Sequence, residues 1–231
     1  MLTIVFDLDG TLIDTAPDLI DTLNFTLARH ALPTVPYEEA RPLIGGGARG
    51  MIERALVLEG RSAARTDVDT LYASFVAHYG EHVADRSRPF PGLEPVLDRL
   101  AQAGHRFAVC TNKLEALSVQ LLRTLGLADR FKAICGQDTF GIQKPNPEAL
   151  RRTVLRAGGD PAAAIMVGDS RTDVYTARAA KVPVVAVDFG YSDVPIQSLK
   201  PDRIISSFAE LFGAVAALAA ELPPSAPATA H

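Results

Sequence analysis

Apolar residues along this chain follow two rhythms, and the change from one to the other divides it. Leu2 to Phe6 is an apolar run with Thr3 as its one polar member, a pattern that predicts a strand buried on both faces. It stops abruptly at Asp7, Leu8 and Asp9. From there to about Arg88 the spacing is helical. Leu19, Leu23 and Leu27 recur every four positions, and helices are expected near 16–31, 37–42, 48–59 and 67–84 with no convincing strand among them. Thr15 reads as the cap of the first helix, Pro17 fits its first turn, and Asp18 suits the positive end of its dipole.

After the proline-rich stretch Arg86 to Gly92, suited to a hinge, helix and strand alternate. The pattern predicts helix 93–103, strand 106–110, helix 114–125, strand 132–135, helix 147–158, strand 164–167, helix 171–181 and strand 183–187. Arg203 to Ile205 adds a last strand, and 208–220 a last helix. Such alternation marks βαβ units and a parallel sheet covered by helices. The expectation is an α/β protein, a Rossmann-like parallel-sheet core over 1–15 and 87–222 with a small α-helical cap inserted at 16–86. Residues 223–231, rich in Pro and Ala, are expected to be a disordered tail.

Composition narrows the function classes. With 48% hydrophobic and 22% charged residues in 231, the chain can bury a full core. A net charge of −4 without a basic run argues against nucleic-acid binding. No apolar run reaches the length of a membrane span, and no basic-then-apolar leader precedes the first strand. Cys110 and Cys135 end predicted strands, where a small thiol packs well, so a cytoplasmic location is expected.

The chemistry gathers where strands stop. Residues two apart in extended chain point the same way, so Asp7 and Asp9 are expected to converge beyond the first strand, where open parallel sheets bind ligands. Two like charges that close need a shared proton, a cationic side chain or a metal ion, and hard oxygen ligands favour magnesium. Thr111 and Asn112 follow the strand 106–110 and offer a hydroxyl and backbone N–H groups suited to phosphoryl oxygens. Lys144 is held by Pro145, with Asn146 and Pro147 reading as the start of the next helix. Gly168-Asp169-Ser170-Arg171-Thr172-Asp173 ends another strand in an acid, with a second acid one helical turn on. Two further motifs point elsewhere at first sight. Gly45 to Gly50 satisfies GxGxxG, but only Leu43 and Ile44 precede it as an apolar run. His78 to His82 fits HxxEH, yet Gly80 weakens the helix that would carry both histidines.

Asp7-Leu8-Asp9-Gly10-Thr11, Thr111, Lys144 and Gly168 to Asp173 occur in the order and form of the four motifs of the haloacid dehalogenase superfamily, which the chain resembles from about Leu2 to Leu211. The resemblance implies phosphoryl transfer with Asp7 as nucleophile, forming an aspartyl-phosphate, and Asp9 as proton donor and acceptor. It implies magnesium on Asp7, the Asp9 backbone carbonyl and Asp169, with Asp173 in support, and Lys144 and Thr111 on the phosphoryl oxygens. Dehalogenases of the superfamily lack the second acid of DxDGT, so Asp9 argues for phosphate chemistry.

The helical insert and Phe189-Gly190-Tyr191 look most like the phosphoglycolate phosphatase branch, which implies a small phosphorylated metabolite as partner and a monomer or homodimer. Where bacterial members often carry a V-G-N-G-type loop, this chain has Ile44-Gly45-Gly46-Gly47. Another small substrate, such as a sugar phosphate or pyrophosphate, or a phosphosugar mutase activity, therefore stays open. Arg49, the one cation of the Gly45 to Gly50 loop, is expected either to join Thr111 and Asn112 in binding substrate, its guanidinium holding a small carboxylate with two hydrogen bonds, or to be a solvated residue at a helix start.

Overall fold

Side chains of β1 (Thr3–Phe6) alternate between two hydrophobic clusters: Ile4 and Phe6 enter one, Val5 the other. A strand with that pattern has to be covered on both faces. The computed structural model describes residues 1–63 and 66–222, and the tail expected at 223–231 lies outside the described residues. The strands that follow are β2 (Ile13–Asp14), β3 (Arg88–Pro89), β4 (Arg106–Cys110), β5 (Ala133–Cys135), β6 (Ala164–Gly168), β7 (Val184–Val187) and β8 (Arg203–Ile205). Six of them form a wholly parallel sheet in the order β5-β4-β1-β6-β7-β8.

Helices α1 (Ala16–Arg29), α2 (Tyr37–Ala40), α3 (Gly47–Leu58) and α4 (Val68–Glu81) sit between β2 and β3. The remainder, α5 (Leu93–Gln102), α6 (Glu115–Thr124), α7 (Pro147–Arg156), α8 (Arg171–Ala180) and α9 (Leu211–Glu221), alternate with the sheet strands. Leu97 of α5, Leu121 of α6 and Val215 of α9 pack in the cluster of Ile4 and Phe6, while Leu150 of α7 and Val174 of α8 pack in that of Val5. Helices thus cover both faces, as right-handed crossovers between parallel strands require. None of the helices described is long and apolar enough to cross a membrane.

The register brings the functional strands to a common end. Phe6 at the end of β1 is level with Val109 in β4 and Val167 in β6, so the chain leaves the sheet within a few residues of the same height at Asp7, Thr111 and Asp169.

Three local features depart from expectation. β2 and β3 form an antiparallel pair, Ile13 opposite Pro89 and Asp14 opposite Arg88, where the chain leaves for the inserted helices and returns. Two residues are too few to display a strand period. The second helix of the insert ends at Ala40 and continues as a 3-10 turn, Arg41–Leu43, because Pro42 has no amide hydrogen to extend it. Thr15 precedes α1 but makes no side-chain cap bond; its hydroxyl donates instead to Asp9.

Asp18 ties the two crossing chains together. Buried in the first turn of α1, its carboxylate accepts from the backbone N–H groups of Arg86 and Ser87 and from the Ser87 hydroxyl, the last two at 2.8 and 2.6 Å. Asp18→Ala leaves buried donors unpaired and is expected to cost about 3 kcal/mol. In a chain of this size that lowers Tm by roughly 6–12 °C. A thermal denaturation midpoint equal to wild type would show that this junction carries no stability.

Candidate active site

Lys144 is the fixed point of the site. Its ammonium, almost wholly buried, lies 2.9 Å from Asp7 Oδ1 and 2.6 Å from Asp173 Oδ1. Two sets of bonds aim it. The Asn112 side chain donates to the Lys144 carbonyl at 3.1 Å and accepts from the Lys144 N–H at 2.9 Å, so one amide group grips the lysine backbone. Asn146 then caps α7 by accepting from the Glu148 N–H, with Pro147 opening the helix, as the sequence pattern anticipates.

Asp173 is held equally firmly. Ser170 and Asp173 form a capping box at the start of α8, in which Asp173 Oδ2 accepts from the Ser170 N–H at 3.0 Å and its hydroxyl at 2.6 Å. Asp169 accepts from the Thr11 hydroxyl at 2.9 Å and from the Tyr191 N–H at 2.7 Å. Close packing fixes its position: a Cβ at Gly10, which has φ +81°, or at Gly190 would collide with the Asp169 carboxylate. The DxDGT turn and the Phe189-Gly190-Tyr191 segment therefore close on the same side chain.

Asp9 faces elsewhere. The expectation that Asp7 and Asp9 share one small volume is met only in that both line the same cavity. The chain turns at Gly10, and the Asp9 carboxylate takes Lys113 Nζ at 2.6 and 2.9 Å and the Thr15 hydroxyl at 2.7 Å. Each acid of the motif thus has its own buried lysine. Lys113 was not singled out from the sequence. The signal available was a lysine two places past a strand-terminal threonine, which only the folded chain shows to be buried. Thr111 is itself buried, and its hydroxyl accepts from the Lys113 N–H at 3.2 Å.

The cavity between the sheet ends and the inserted helices is lined by Asp7, Asp9, Thr111, Asn112 and Lys113 from below and by Ile44, Met51, Tyr72 and Tyr79 from above. The structure does not bring Arg49 to it. The guanidinium pairs with Asp69 and lies 5.2 Å from the Tyr72 ring centroid, on the half-exposed side of α3. The Asn112 amide group is spent on Lys144, so this residue acts on the lysine's position from beneath the cavity. The glycine-rich loop serves a close approach: Gly47 has φ +73°, and a Cβ there would lie 2.8 Å from the Asn112 carbonyl.

The HxxEH histidines lie apart from the cavity. His78 stacks on Phe25 with centroids 3.7 Å apart, and His82 Nδ1 lies 2.8 Å from Asp85. Cys110 and Cys135 are buried neighbours in β4 and β5, and burial pushes the Cys110 thiol up to about 12, which suits packing and not nucleophilic work.

Carboxylate oxygens of Asp7, Asp169 and Asp173 all lie within 4.8 Å of one another, the one such group of potential metal ligands among the described residues. Three carboxylates face a single ammonium, an excess of two negative charges when all are ionised. Burial raises the Asp7 carboxyl to about 7, Asp173 adds to the effect, and Lys144 opposes it without prevailing, because it is shared. Burial likewise raises Asp169 to about 8, with Asp173 and Asp7 contributing. Burial works against the Lys144 charge too, but Asp173 and Asp7 outweigh it and hold the ammonium above its ordinary value. Hard oxygen donors carrying two surplus charges fit a divalent cation in both donor type and charge.

Residues 4–187 match the family model of the haloacid dehalogenase-like hydrolases. The chain is 50% identical over 205 residues to the phosphoglycolate phosphatase of Mesorhizobium japonicum, covering 89% of this chain and 90% of that one. It is 48% identical over 207 residues to the phosphoglycolate phosphatase of Agrobacterium fabrum, covering 90% and 89%. Among solved structures, one described as a predicted phosphoglycolate phosphatase from Haemophilus somnus superposes with a TM-score of 0.84 at 28% identity, covering 93% of this chain and 97% of that one.

The raised carboxyls set the pH dependence of the metal-free protein. The folded state keeps protons on Asp7 and Asp169 up to about 7 and 8, whereas an unfolded chain releases them near 4. Folding takes up protons in that window, so stability falls as pH rises through it. The Tm of metal-free protein is expected to drop between pH 7 and pH 8.5, where histidines no longer titrate. Asp169→Asn should flatten that drop, and a divalent cation should raise the wild-type Tm more at pH 8.5 than at pH 6. Thermal melts in EDTA that are level from pH 7 to 8.5 would contradict this account of the acid cluster.

Proposed function

This chain belongs to the haloacid dehalogenase-like hydrolase family and is a phosphoric monoester hydrolase, and from that premise we propose that it hydrolyses 2-phosphoglycolate, with magnesium, through an aspartyl-phosphate on Asp7. The observation that carries the reading is one cavity in which Asp7 and Asp9 each rest on a separate buried lysine above an acid cluster. Phosphoryl transfer needs a positioned nucleophile, a proton donor on the leaving side and neutralisation of charge, and this arrangement offers all three. The relatives' shared name supports phosphoglycolate.

Asp7 Oδ1 accepts from the Leu8 N–H at 2.7 Å and from Lys144, which leaves Oδ2 to attack phosphorus. As the bond between phosphorus and the ester oxygen breaks, Asp9, away from Lys113 and in its protonated form, gives that oxygen its proton. Asp9 then takes a proton from water as the water oxygen attacks the aspartyl-phosphate, which restores Asp7 and releases phosphate. Lys144 and the Thr111 hydroxyl stabilise the phosphoryl oxygens. Magnesium would be held by Asp7, the Asp9 backbone carbonyl and Asp169, with Asp173 orienting Lys144, and when bound supplies the charge that lets an anionic nucleophile meet an anionic phosphate. Two buried free thiols suit the reducing cytoplasm, where we place the enzyme.

Asp7→Asn is expected to lower kcat on 2-phosphoglycolate by at least about a thousandfold while the fold is kept, and Asp9→Asn to lower kcat far more than it alters KM. Near wild-type turnover by Asp7→Asn, with contaminating phosphatase excluded, would remove the covalent mechanism. EDTA should abolish activity and magnesium restore it, with calcium a poor substitute because its larger, looser coordination shell misplaces the phosphate. Activity across sugar phosphates, pyrophosphate and 2-phosphoglycolate at equal concentration decides the substrate: a higher kcat/KM on any of the others would replace phosphoglycolate.

A further inference from the structure

Lys113 is a buried lysine with an unusual neighbourhood. Its ammonium, 5% exposed, has Asp9 as its ion-pair partner on one side and, 4.6 Å from the centroid on the other, the ring of Tyr79 from α4 of the inserted helices. Among the described residues that line the cavity, Lys113 is the one cation. Its other surroundings are poor in charge, since Leu19, Ile44, Met51 and Phe75 form much of the wall. Tyr79 is fully buried, lines the same cavity, and its hydroxyl has no hydrogen-bond partner among the described residues. Burial next to Asp9 and Asp18 holds that phenol well above its ordinary value, so it remains a donor.

A buried charge and a buried unpaired hydroxyl are both costly, and the two residues that carry them line one cavity. The cost rises when Asp9 turns from Lys113 to reach a leaving oxygen, because the ammonium is then left in an apolar pocket without its counter-ion. A second anionic group on the substrate, within a carbon or two of the ester oxygen, would take the place that Asp9 vacates and accept from Tyr79 as well. We propose that Lys113 and Tyr79 form the specificity subsite for the carboxylate of the substrate, with Lys113 exchanging Asp9 for that carboxylate as the reaction begins. The proposal rests on the reading of the chain as a phosphoglycolate phosphatase and assigns the selection to a core lysine and a cap tyrosine. It also explains why Arg49, half-exposed and spent on Asp69, is not needed for the task.

The test compares 2-phosphoglycolate with 2-hydroxyethyl phosphate, which replaces the carboxylate by a neutral CH2OH of similar size. Both substrates are measured by phosphate release on magnesium-loaded wild type, Lys113→Met, Lys113→Arg and Tyr79→Phe. The quantity read is the ratio of kcat/KM for the two substrates, because loss of Lys113 also disturbs Asp9 and slows both. Wild type is expected to favour phosphoglycolate by about a hundredfold. Lys113→Met should bring the ratio close to one, Tyr79→Phe should lower it about tenfold, and Lys113→Arg should keep it above one at reduced rates. If Lys113→Met slows both substrates equally and the wild-type preference survives, the subsite is elsewhere. Should Lys113→Met not fold, an unchanged ratio in Tyr79→Phe, or a ratio near one in Lys113→Arg, overturns the assignment in the same way. A wild type without preference for phosphoglycolate would instead overturn the substrate reading on which the proposal stands.

Discussion

A single buried ammonium organises the centre of this molecule. Lys144 is shared between Asp7 and Asp173, and a third carboxylate, Asp169, stands within reach of both. One positive charge cannot satisfy three negative ones in a medium where water is excluded, so these four side chains are electrostatically incomplete by themselves. The raised carboxyls of Asp7 and Asp169 express that deficit. The same deficit makes the site attract a divalent cation, so it trades stability of the empty protein for affinity toward what completes it.

Keeping such a cluster together requires a rigid frame, and the parallel sheet provides it. Phe6, Val109 and Val167 stand level in adjacent strands, with helices on both faces, so the chain segments beyond them cannot drift apart. Short hydrogen-bonded devices then set each side chain: the Asn112 amide on the Lys144 backbone, the Ser170–Asp173 capping box, and Thr11 and Tyr191 on Asp169. Glycine is required where backbones close on a carboxylate, at Gly10 and Gly190.

The inserted helices are joined to this frame through few but specific contacts. β2 pairs with β3, Asp18 holds the returning chain, Gly47 approaches the Asn112 carbonyl, and Tyr79 lies over Lys113. Two of these contacts reach residues that also hold the acids of the site, since Asn112 grips Lys144, which pairs with Asp7, and Lys113 pairs with Asp9. Placement of the cap and charge balance at the acid pair are therefore properties of one network.

Much of this was legible in the chain itself. Apolar runs ending in acids located β1 and β6, alternation located the parallel sheet, and the DxDGT, Thr111, Lys144 and GDSxxD pieces named the polar residues that the fold brings together. Those signals are local: strand burial, capping and turn chemistry depend on residues a few places apart. What sequence could not decide was which charge meets which. Spacing alone paired Asp7 with Asp9, whereas the turn at Gly10 sends Asp9 to Lys113, 104 residues away along the chain. Arg49 was the prominent cation of the cap loop, yet Asp69 and Tyr72 claim it on the outer side of α3. Lys113 carries no mark in the sequence pattern, and the fold buries it between a carboxylate and an aromatic ring. Ion pairing in a low-dielectric interior is set by distances of a few ångströms between segments remote in sequence, and only the packed tertiary structure fixes those distances.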